Sequence, residues 1–571
     1  MADQRLGRSR RWAILSLLII LVFDVWLRGH TFGPTLRERW GINLWPVSGR
    51  ESEPLDCDEC VYAYAGRRII HGDVMYRDLT EPKPPGGYWL GAAIMAMGGD
   101  TELDFRLVTI PFVLGTISLC WWMGMRLQGP IAACVAALVY GVVSTDPYLF
   151  GNGSNLEHAI NLFAFGSLAC MVKGWTLERR RWYFASGLAI GLAAVFKQIA
   201  VVHFVVFAVA LMTRRRTWSL KAKDIAGLTA GLGAVFLLVS GVLLAQGAGA
   251  AAFEDIVRYG AAMARDTPPD PGAPPAWMRW LTGNADPQGK LPWPFGKTDY
   301  LVWWGTGSWP VWLAAIPSLA VLGLSRGSTG PRRLLVAWTC SAFVQVVLPG
   351  LYWQHYYLLP VPGLAVAVAV HLADVLGAVR RVDGRSLLAA SWVTALGLLL
   401  VGTAVIQTRA YLLVAPESLT KEYKGGAQWI ALRAMGRDLA ERSKVWKDPR
   451  LFLWGWQSPL FVYGNLDGVS RHFFADPLMK AFANQDHPLI VPRVERIMQD
   501  LEERPPELIL TGDPPFPALR RFLEAGYIRS RLWGSAPDGR GLWVERGHYR
   551  EFETAATSTK NGDSVRRPVS E

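Results

Sequence analysis

The residues with the clearest chemical potential lie in a polar segment that follows the first apolar run. Two motifs there are rich in charge: Asp56-Cys57-Asp58-Glu59-Cys60 and Tyr76-Arg77-Asp78-Leu79-Thr80-Glu81-Pro82-Lys83-Pro84-Pro85. The two prolines after Lys83 fix the backbone and disfavour a helix, so they predict a rigid element that presents the ammonium group. The motifs therefore combine several carboxylates with one positioned cation, a combination that suits proton transfer and charge neutralisation.

The composition indicates that these motifs belong to a membrane protein. Of the 571 residues, 51% are hydrophobic and only 19% are charged, whereas soluble domains contain about a quarter charged residues. The formal net charge of +12 is concentrated in short connectors between apolar blocks, such as 179–181, 214–216 and 332–333. This distribution is the positive-inside pattern of membrane proteins. No basic-aromatic groove motif appears, so we expect no binding to nucleic acid.

The lengths of the apolar blocks, about 17–25 residues for a helix that crosses a bilayer, predict about eleven spans. They are 12–27, 106–127, 130–148, 157–175, 182–196, 199–212, 224–246, 301–324, 334–351, 356–376 and 387–406. The basic residues before the first span place the N-terminus in the cytoplasm. An odd count then places the C-terminus outside and every basic connector inside. The helices on either side of Lys197 are short. Merging them would reverse the downstream loops, so that alternative is disfavoured.

The predicted fold is an all-α polytopic membrane bundle with large outer loops and a C-terminal α/β soluble domain. The transmembrane module covers 1–406, with outer loops at 28–105 and 247–300. Residues 407–553 form the extracytoplasmic domain, with strands near 450–456, 507–511 and 541–545 and helices near 422–442 and 493–504. The Ser/Thr-rich tail, 554–571, is expected to be disordered.

The order of motifs in the first outer loop resembles the GT-C superfamily of membrane glycosyltransferases, which use polyprenyl-phosphate sugars. The resemblance rests on Asp58-Glu59, Tyr62-Ala63-Tyr64, His71-Gly72-Asp73-Val74-Met75-Tyr76-Arg77-Asp78, Lys83-Pro84-Pro85-Gly86 and Arg106. By this pattern the chain is most similar to bacterial members related to protein O-mannosyltransferases, lipid A aminoarabinose transferases and lipopolysaccharide-core transferases. The resemblance extends over nearly the whole chain.

The resemblance implies a reaction in which an acceptor hydroxyl attacks the anomeric carbon and lipid-linked phosphate leaves. A single displacement of this kind would invert the anomeric centre. Asp58 matches the acidic residue that serves as general base or metal ligand in the family. A free aspartate, with a pKa near ~3.9, is too acidic to deprotonate an alcohol outright. It can accept the proton as the transition state forms. Lys83 is the candidate that stabilises the leaving phosphate.

The resemblance also assigns roles to several other charged residues. A divalent cation, Mg²⁺ or Mn²⁺, would be held by Asp58 with Glu59 or Glu157, and Asp78 and Glu81 are further candidates for a metal or the acceptor. Lys197 and His355 are expected near the donor phosphate. Each has a simpler alternative: Glu157 can stabilise a helix dipole, while Lys197 and His355 can anchor helix ends at the interface.

The expected partners are a polyprenyl-phosphate-linked sugar donor, a lipid, glycan or protein acceptor, and membrane lipids. We expect the protein in the bacterial inner membrane. Two other functions stay open: a transporter or lipid flippase, which would favour internal repeats and midplane charges that the sequence lacks, and a non-catalytic glycan-binding scaffold, for which Asp58 and Lys83 would be dispensable. Cys57 and Cys60 are interpreted as a disulfide or two idle thiols without redox function.

Overall fold

The structure, a computed structural model, describes residues 2–99, 102–262, 308–325, 327–349, 353–381, 387–424, 426–475, 478, 487–531 and 540–555. Most of the predicted second outer loop and nearly all of the predicted tail lie outside these ranges. The chain forms two compact units. The first contains Met1–Glu53, Thr101–Val242 and Asp270–Gly426, and the second contains Pro54–Asp100, Leu243–Pro269 and Ala427–Glu571.

The helices, numbered in chain order, are α1 (Ala2–Gly29), α2 (Gly33–Trp40), α3 (Cys57–Ile70), α4 (Gly86–Ala96), α5 (Glu102–Leu127), α6 (Pro130–Val143), α7 (Glu157–Leu177), α8 (Arg180–Phe196), α9 (Val202–Thr213), α10 (Trp218–Ala245), α11 (Gly249–Ala252), α12 (Trp309–Leu324), α13 (Gly330–Val347), α14 (Val361–Arg381), α15 (Leu387–Leu413), α16 (Leu419–Tyr423), α17 (Gln428–Ser443), α18 (Pro459–Tyr463), α19 (Val491–Glu503), α20 (Pro517–Gly526) and α21 (Tyr549–Thr554). A π-helical turn, Phe253–Tyr259, continues α11. The strands are β1 (Arg450–Trp454), β2 (Asp467–Gly468), β3 (Leu508–Thr511), β4 (Tyr527–Arg529) and β5 (Gly541–Glu545).

The first unit is a helical bundle, as its apolar blocks predict. Each of the eleven predicted spans coincides with a described helix. By length and composition, 6 helices of the described ranges could cross a membrane: Arg11–Trp40, Glu102–Leu127, Glu157–Leu177, Trp218–Ala245, Gln354–Val379 and Ala390–Leu413. Small side chains let the helices approach closely. A Cβ added to Gly124 of α5 would overlap the carbonyl of Ala132 in α6.

The chain breaks its helix at Lys197, as the two short predicted spans require. Helix α8 ends at Phe196, and Lys197 has an extended backbone with φ −153° and ψ 116°. A single 3-10 turn, Gln198–Val201, then leads into α9. The break places a charged side chain at a helix end instead of in the middle of an apolar run.

The second unit contains the predicted α/β fold. Its five-stranded sheet has the order β2-β1-β3-β5-β4. Strand β1 pairs in parallel with β2 and β3, while β5 pairs antiparallel with β3 and β4. Strands β1, β3 and β5 fall where the sequence analysis predicts strands, and the short strands β2 and β4 were not predicted.

Helices α3 and α4 also belong to the second unit and pack closely against each other. Neither Gly66 nor Gly91 could carry a side chain at this contact. A Cβ on Gly66 would overlap the backbone of Gly91, and one on Gly91 would overlap the carbonyl of Tyr62. The close approach holds α3, which carries Asp58 and Tyr62, beside the helix that follows Lys83.

Candidate active site

Helix α3 begins with a capping box that fixes the residues around Asp58. The Asp56 side chain accepts a hydrogen bond of 2.9 Å from the backbone N–H of Glu59. The Glu59 carboxylate accepts one of 2.8 Å from the backbone N–H of Asp56. This reciprocal pair satisfies two N–H groups that the first turn would otherwise leave unbonded. Glu59 is fully buried, so its position is explained by helix capping, a role that the spacing Asp-x-x-Glu could have indicated.

Lys83 lies directly against Asp58 in the structure. The Lys83 Nζ is 2.9 Å from Asp58 Oδ1 and 3.3 Å from the hydroxyl of Tyr62. Both charged side chains keep just over a quarter of their surface exposed, 27% for Lys83 and 28% for Asp58. Burial lowers the pKa of Lys83, but the neighbouring Asp58, Tyr62 and Glu81 outweigh it and raise this pKa well above its usual value. Lys83 is therefore a permanent cation that is still accessible from solvent.

Glu81 adds a second carboxyl group beside the lysine. One of its oxygens is 3.8 Å from Lys83 Nζ, and its side chain is 1% exposed. Burial raises the pKa of Glu81 to about 7, and the negative charge of Asp58 adds to this effect while Lys83 opposes it. Near neutral pH, a large fraction of Glu81 is therefore protonated. Lys83 then interacts with a single neighbouring carboxylate, that of Asp58, and can attract an anion that binds beside it.

The raised pKa of Glu81 predicts a pH-dependent stability. A carboxyl whose pKa is higher in the folded protein than the ordinary 4.5 stabilises the fold below that value, and the contribution is lost as the pH rises through about 7. We expect the free energy of unfolding to fall by about 3 kcal/mol from this group over that range. Melting temperatures of wild type and Glu81→Gln at about pH 5 and about pH 8 test this. Glu81→Gln should lose much of the pH dependence of the melting temperature. The control Glu502→Gln, at an exposed site, should retain it. Equal pH dependence in both variants would contradict the raised pKa of Glu81.

Asp78 forms a local turn. Its carboxylate accepts a hydrogen bond of 2.8 Å from the backbone N–H of Val74 and pairs with Arg77 at 2.8 Å. The hydrogen bond from Arg77 and this backbone contact hold the pKa of Asp78 below its usual value, although burial acts against them. These contacts explain the acid in the motif by loop geometry, and its predicted role toward metal or acceptor stays a prediction.

Glu157, Lys197 and His355 lie in the first unit and are brought together there. Glu157 begins α7, and its Oε1 is 2.9 Å from Lys197 Nζ. The same ammonium lies 3.3 Å from the ring centroid of Tyr356. His355 is close enough to Glu157 for electrostatic attraction, and its ring meets that of Tyr356 edge-on at 4.7 Å. The break after α8 is what brings Lys197 to this position.

A second buried charge cluster in the first unit was not predicted as a group. Glu53 is fully buried, and its carboxylate contacts Arg106 at 2.8 Å, Asn152 at 2.6 Å and Lys424 at 2.9 Å. Burial would raise the pKa of Glu53, but Lys424 and Arg106 outweigh it and lower this pKa. Arg106 was quoted only as part of the family pattern. Nothing in the local sequence distinguishes Glu53 from the other acids of the loop, because its partners are distant along the chain.

Removing the negative charge of this cluster should destabilise the protein strongly. Glu53→Gln keeps the shape but leaves two buried cations without their counter-charge, which costs about 3–5 kcal/mol. We expect a clear drop in the melting temperature of the purified protein. The matched control is Glu38→Gln, at an exposed position of the same unit. Equal melting temperatures for the two variants would contradict a structural role for the buried charge.

The predicted metal role of Asp58, Glu59 and Glu157 stays a prediction. A divalent cation takes several oxygen ligands around one point. In the ranges that the structure covers, no three His, Cys, Asp or Glu side chains come together in this way. The Lys83 and Lys197 ammonium groups already lie 2.9 Å from Asp58 and Glu157.

Both cysteines that flank Asp58 are thiols. Cys57 donates a hydrogen bond of 2.9 Å to the carbonyl of Trp456, and Cys60 is fully buried in α3. Of the two interpretations that the sequence leaves open, the structure shows the reduced form.

Comparisons with known proteins agree with the predicted family. Residues 82–244 match the family described as dolichyl-phosphate-mannose-protein mannosyltransferase. The structure resembles ArnT from Cupriavidus metallidurans bound to undecaprenyl phosphate, with a TM-score of 0.53, 15% identity, and coverage of 93% of this chain and 98% of that chain. It also resembles the Archaeoglobus fulgidus oligosaccharyltransferase in its apo form, with a TM-score of 0.53, 10% identity, and coverage of 94% and 74%. No curated protein sequence matches significantly. At these identities the structural similarity shows that the chain shares the fold of these two proteins, and the family match covers residues 82–244 of it.

Proposed function

We propose that the chain transfers a sugar from a polyprenyl-phosphate carrier to a hydroxyl group of a lipid, glycan or protein acceptor, with inversion at the anomeric carbon. The observation that carries the proposal is the contact of 2.9 Å between Lys83 Nζ and Asp58 Oδ1. It joins a proton acceptor and a permanent cation in a partly exposed position of a multi-pass membrane protein. The undecaprenyl phosphate bound to ArnT, a protein of the same fold, suggests the class of donor.

Asp58 and Lys83 have separate roles in the proposed reaction. The acceptor oxygen forms a bond to the anomeric carbon while the bond from that carbon to the phosphate oxygen breaks. Asp58 accepts the hydroxyl proton as the transition state forms. The phosphate leaves with the bonding electrons, and Lys83 stabilises the negative charge that develops on it.

The protonation state of Glu81 changes how strongly Lys83 attracts the donor phosphate. When Glu81 carries a proton, Lys83 faces one neighbouring carboxylate instead of two and attracts a phosphate more strongly. When Glu81 is ionised, it competes for the same ammonium group. Because its pKa is about 7, the competition changes within the physiological range.

No step of this reaction needs a divalent cation at Asp58. Lys83 neutralises the leaving group, and Asp58 lies 2.9 Å from the same ammonium group. We therefore expect turnover to continue unchanged after dialysis against a chelator. A loss of activity that added Mg²⁺ or Mn²⁺ restores would instead support the metal role that the family resemblance allows for Asp58, Glu59 and Glu157.

We also propose an inner-membrane location with the N-terminus in the cytoplasm and the C-terminal domain outside. The basic connectors then lie inside, as the positive-inside rule requires, and transfer occurs at the extracytoplasmic face. Lys197 and His355 stay proposed contacts of the donor phosphate. Cysteines introduced singly at 179–181 and in 487–531, labelled with a membrane-impermeant thiol reagent in intact cells, would test the orientation.

The first experiment measures release of free polyprenyl phosphate by the purified protein from a panel of polyprenyl-phosphate sugars, in detergent with acceptor-containing membranes. Donor consumption that depends on the protein supports the proposal. If no donor in the panel is consumed, the transferase reading is wrong. Reconstitution into proteoliposomes would then separate the two other functions, since a flippase moves labelled lipid between leaflets and a scaffold does not.

A further inference from the structure

Tyr76 has an unusual backbone for its residue type. Its φ is +70°, in the left-handed region that a bulky side chain rarely adopts, and its side chain is fully buried. Such a conformation is costly and persists only where the surroundings impose it, often near functional sites. The contacts of Tyr76 therefore indicate what the local structure is built to hold.

The Tyr76 side chain reaches directly to the reactive lysine. Its hydroxyl donates a hydrogen bond of 2.8 Å to the backbone carbonyl of Lys83. Its own N–H donates one of 2.7 Å to the carbonyl of Leu79, which closes the intervening loop. The left-handed turn at Tyr76 thus directs the ring toward Lys83 and allows the hydrogen bond to its carbonyl.

Arg471 forms hydrogen bonds with the same loop, at Tyr76 and Thr80. Its guanidinium donates to the carbonyl of Tyr76 at 2.6 Å and to the hydroxyl of Thr80 at 2.5 Å. In return, the N–H of Thr80 donates to the carbonyl of Arg471 at 2.8 Å. Asp255 lies 3.4 Å from the Arg471 guanidinium and 2.6 Å from that of Arg493. Arg471 thus donates two hydrogen bonds to the segment that precedes Lys83 and accepts one from it, and these three bonds hold the segment in place.

The segment around Arg471 also holds the helix that carries Asp58. The N–H of Gly468 donates to the hydroxyl of Tyr64 at 2.7 Å, and the Tyr64 ring stacks on that of Phe461 at 4.4 Å. Ser458 donates to the backbone carbonyl of Cys57 at 2.8 Å. Residues 458–471 thus contact both the helix of Asp58 and the loop of Lys83.

We propose that Tyr76 and Arg471 are positioning residues that hold the Lys83 ammonium against Asp58. The inference rests on the proposed function and assigns the C-terminal α/β domain a part in it. Arg471 holds the carbonyl of Tyr76 by a hydrogen bond, and the Tyr76 hydroxyl holds the carbonyl of Lys83 in the same way. The Lys83 ammonium then lies 2.9 Å from Asp58. Neither residue contacts the reacting atoms; both act through Lys83.

A double-mutant cycle tests whether Tyr76 acts through Lys83. We expect Tyr76→Phe to lower kcat by roughly ten-fold in wild type, because small misplacements of a catalytic group are costly. In a Lys83→Ala background the same change should cost less than about two-fold, since the group it positions is gone. The matched control is Tyr527→Phe, which removes an equally buried hydroxyl that donates to the carbonyl of Pro506 at 2.7 Å. It should leave kcat unchanged; equal losses in both backgrounds, or in both tyrosine variants, would overturn the inference.

A second measurement does not depend on activity. In hydrogen exchange, peptides covering 77–83 should exchange faster in Tyr76→Phe and Arg471→Met than in wild type, while the β3 peptide keeps its protection. Arg471→Lys, which can keep part of the contact, should give an intermediate rate. Unchanged exchange in 77–83 overturns the positioning role. If wild type consumes no donor, the proposed function fails, and the exchange result still decides whether these residues hold the loop.

Discussion

Asp58→Asn is expected to lower kcat for sugar transfer by roughly 10²- to 10⁴-fold, because the amide cannot accept the proton of the acceptor hydroxyl. Asparagine keeps the size of the side chain, so the fold should tolerate the change. Release of polyprenyl phosphate from a donor that wild type consumes gives the rate. Melting temperature and elution volume in detergent show whether the variant is folded.

The matched control for this variant is Asp438→Asn. Asp438 also pairs with a cation, Arg442, at 2.9 Å, and lies in the same unit. Its loss should leave the rate close to that of wild type. An Asp58→Asn protein as active as wild type would show that another group accepts the proton and that the assignment of the site is wrong.

Lys83→Ala is the second large effect that we expect. Removing a cation that faces developing negative charge typically lowers kcat by roughly 10²- to 10³-fold. The loss should appear mainly in kcat, since the charge grows as the bond to phosphate breaks. Lys444→Ala, which removes an exposed lysine paired with Glu441 at 2.7 Å, is the control.

The pH profile separates the roles of Lys83 and Glu81. Lys83 lowers the pKa of Glu81, so its removal should move the Glu81 titration to higher pH. In wild type, transfer should decline as Glu81 ionises near pH 7, and Glu81→Gln should reduce that decline. An unchanged profile in Glu81→Gln would show that Glu81 does not tune the pair.

The sequence alone determined the membrane bundle and the two reactive motifs. Spanning helices need long apolar blocks, and this requirement is local, so the apolar helices of the bundle could be located from composition. The prolines around Lys83 likewise mark a rigid turn without reference to the rest of the chain. The α/β domain was predictable from its three central strands, whereas β2 and β4 are too short to carry a pattern.

The tertiary structure alone decided which charges meet. Lys83 and Asp58 are 25 positions apart, and only the packing of α3 on α4 brings them into contact. Glu59 adjoins Asp58 in sequence, yet it caps the helix, because its carboxylate accepts a hydrogen bond from the backbone N–H of Asp56. Glu53 gains its importance from partners that come from helices and loops far along the chain.

Tyr76 and Arg471 show the same limit most clearly. Tyr76 stood within a motif that the sequence singled out, but nothing in that motif indicated a contact with Arg471. A left-handed tyrosine cannot be recognised from its neighbours, since the hydrogen bonds that impose it come from Lys83 and from a residue almost 400 positions later. Local residue patterns thus determined the elements and their reactive side chains, while long-range hydrogen bonds and buried charge pairs decided their geometry.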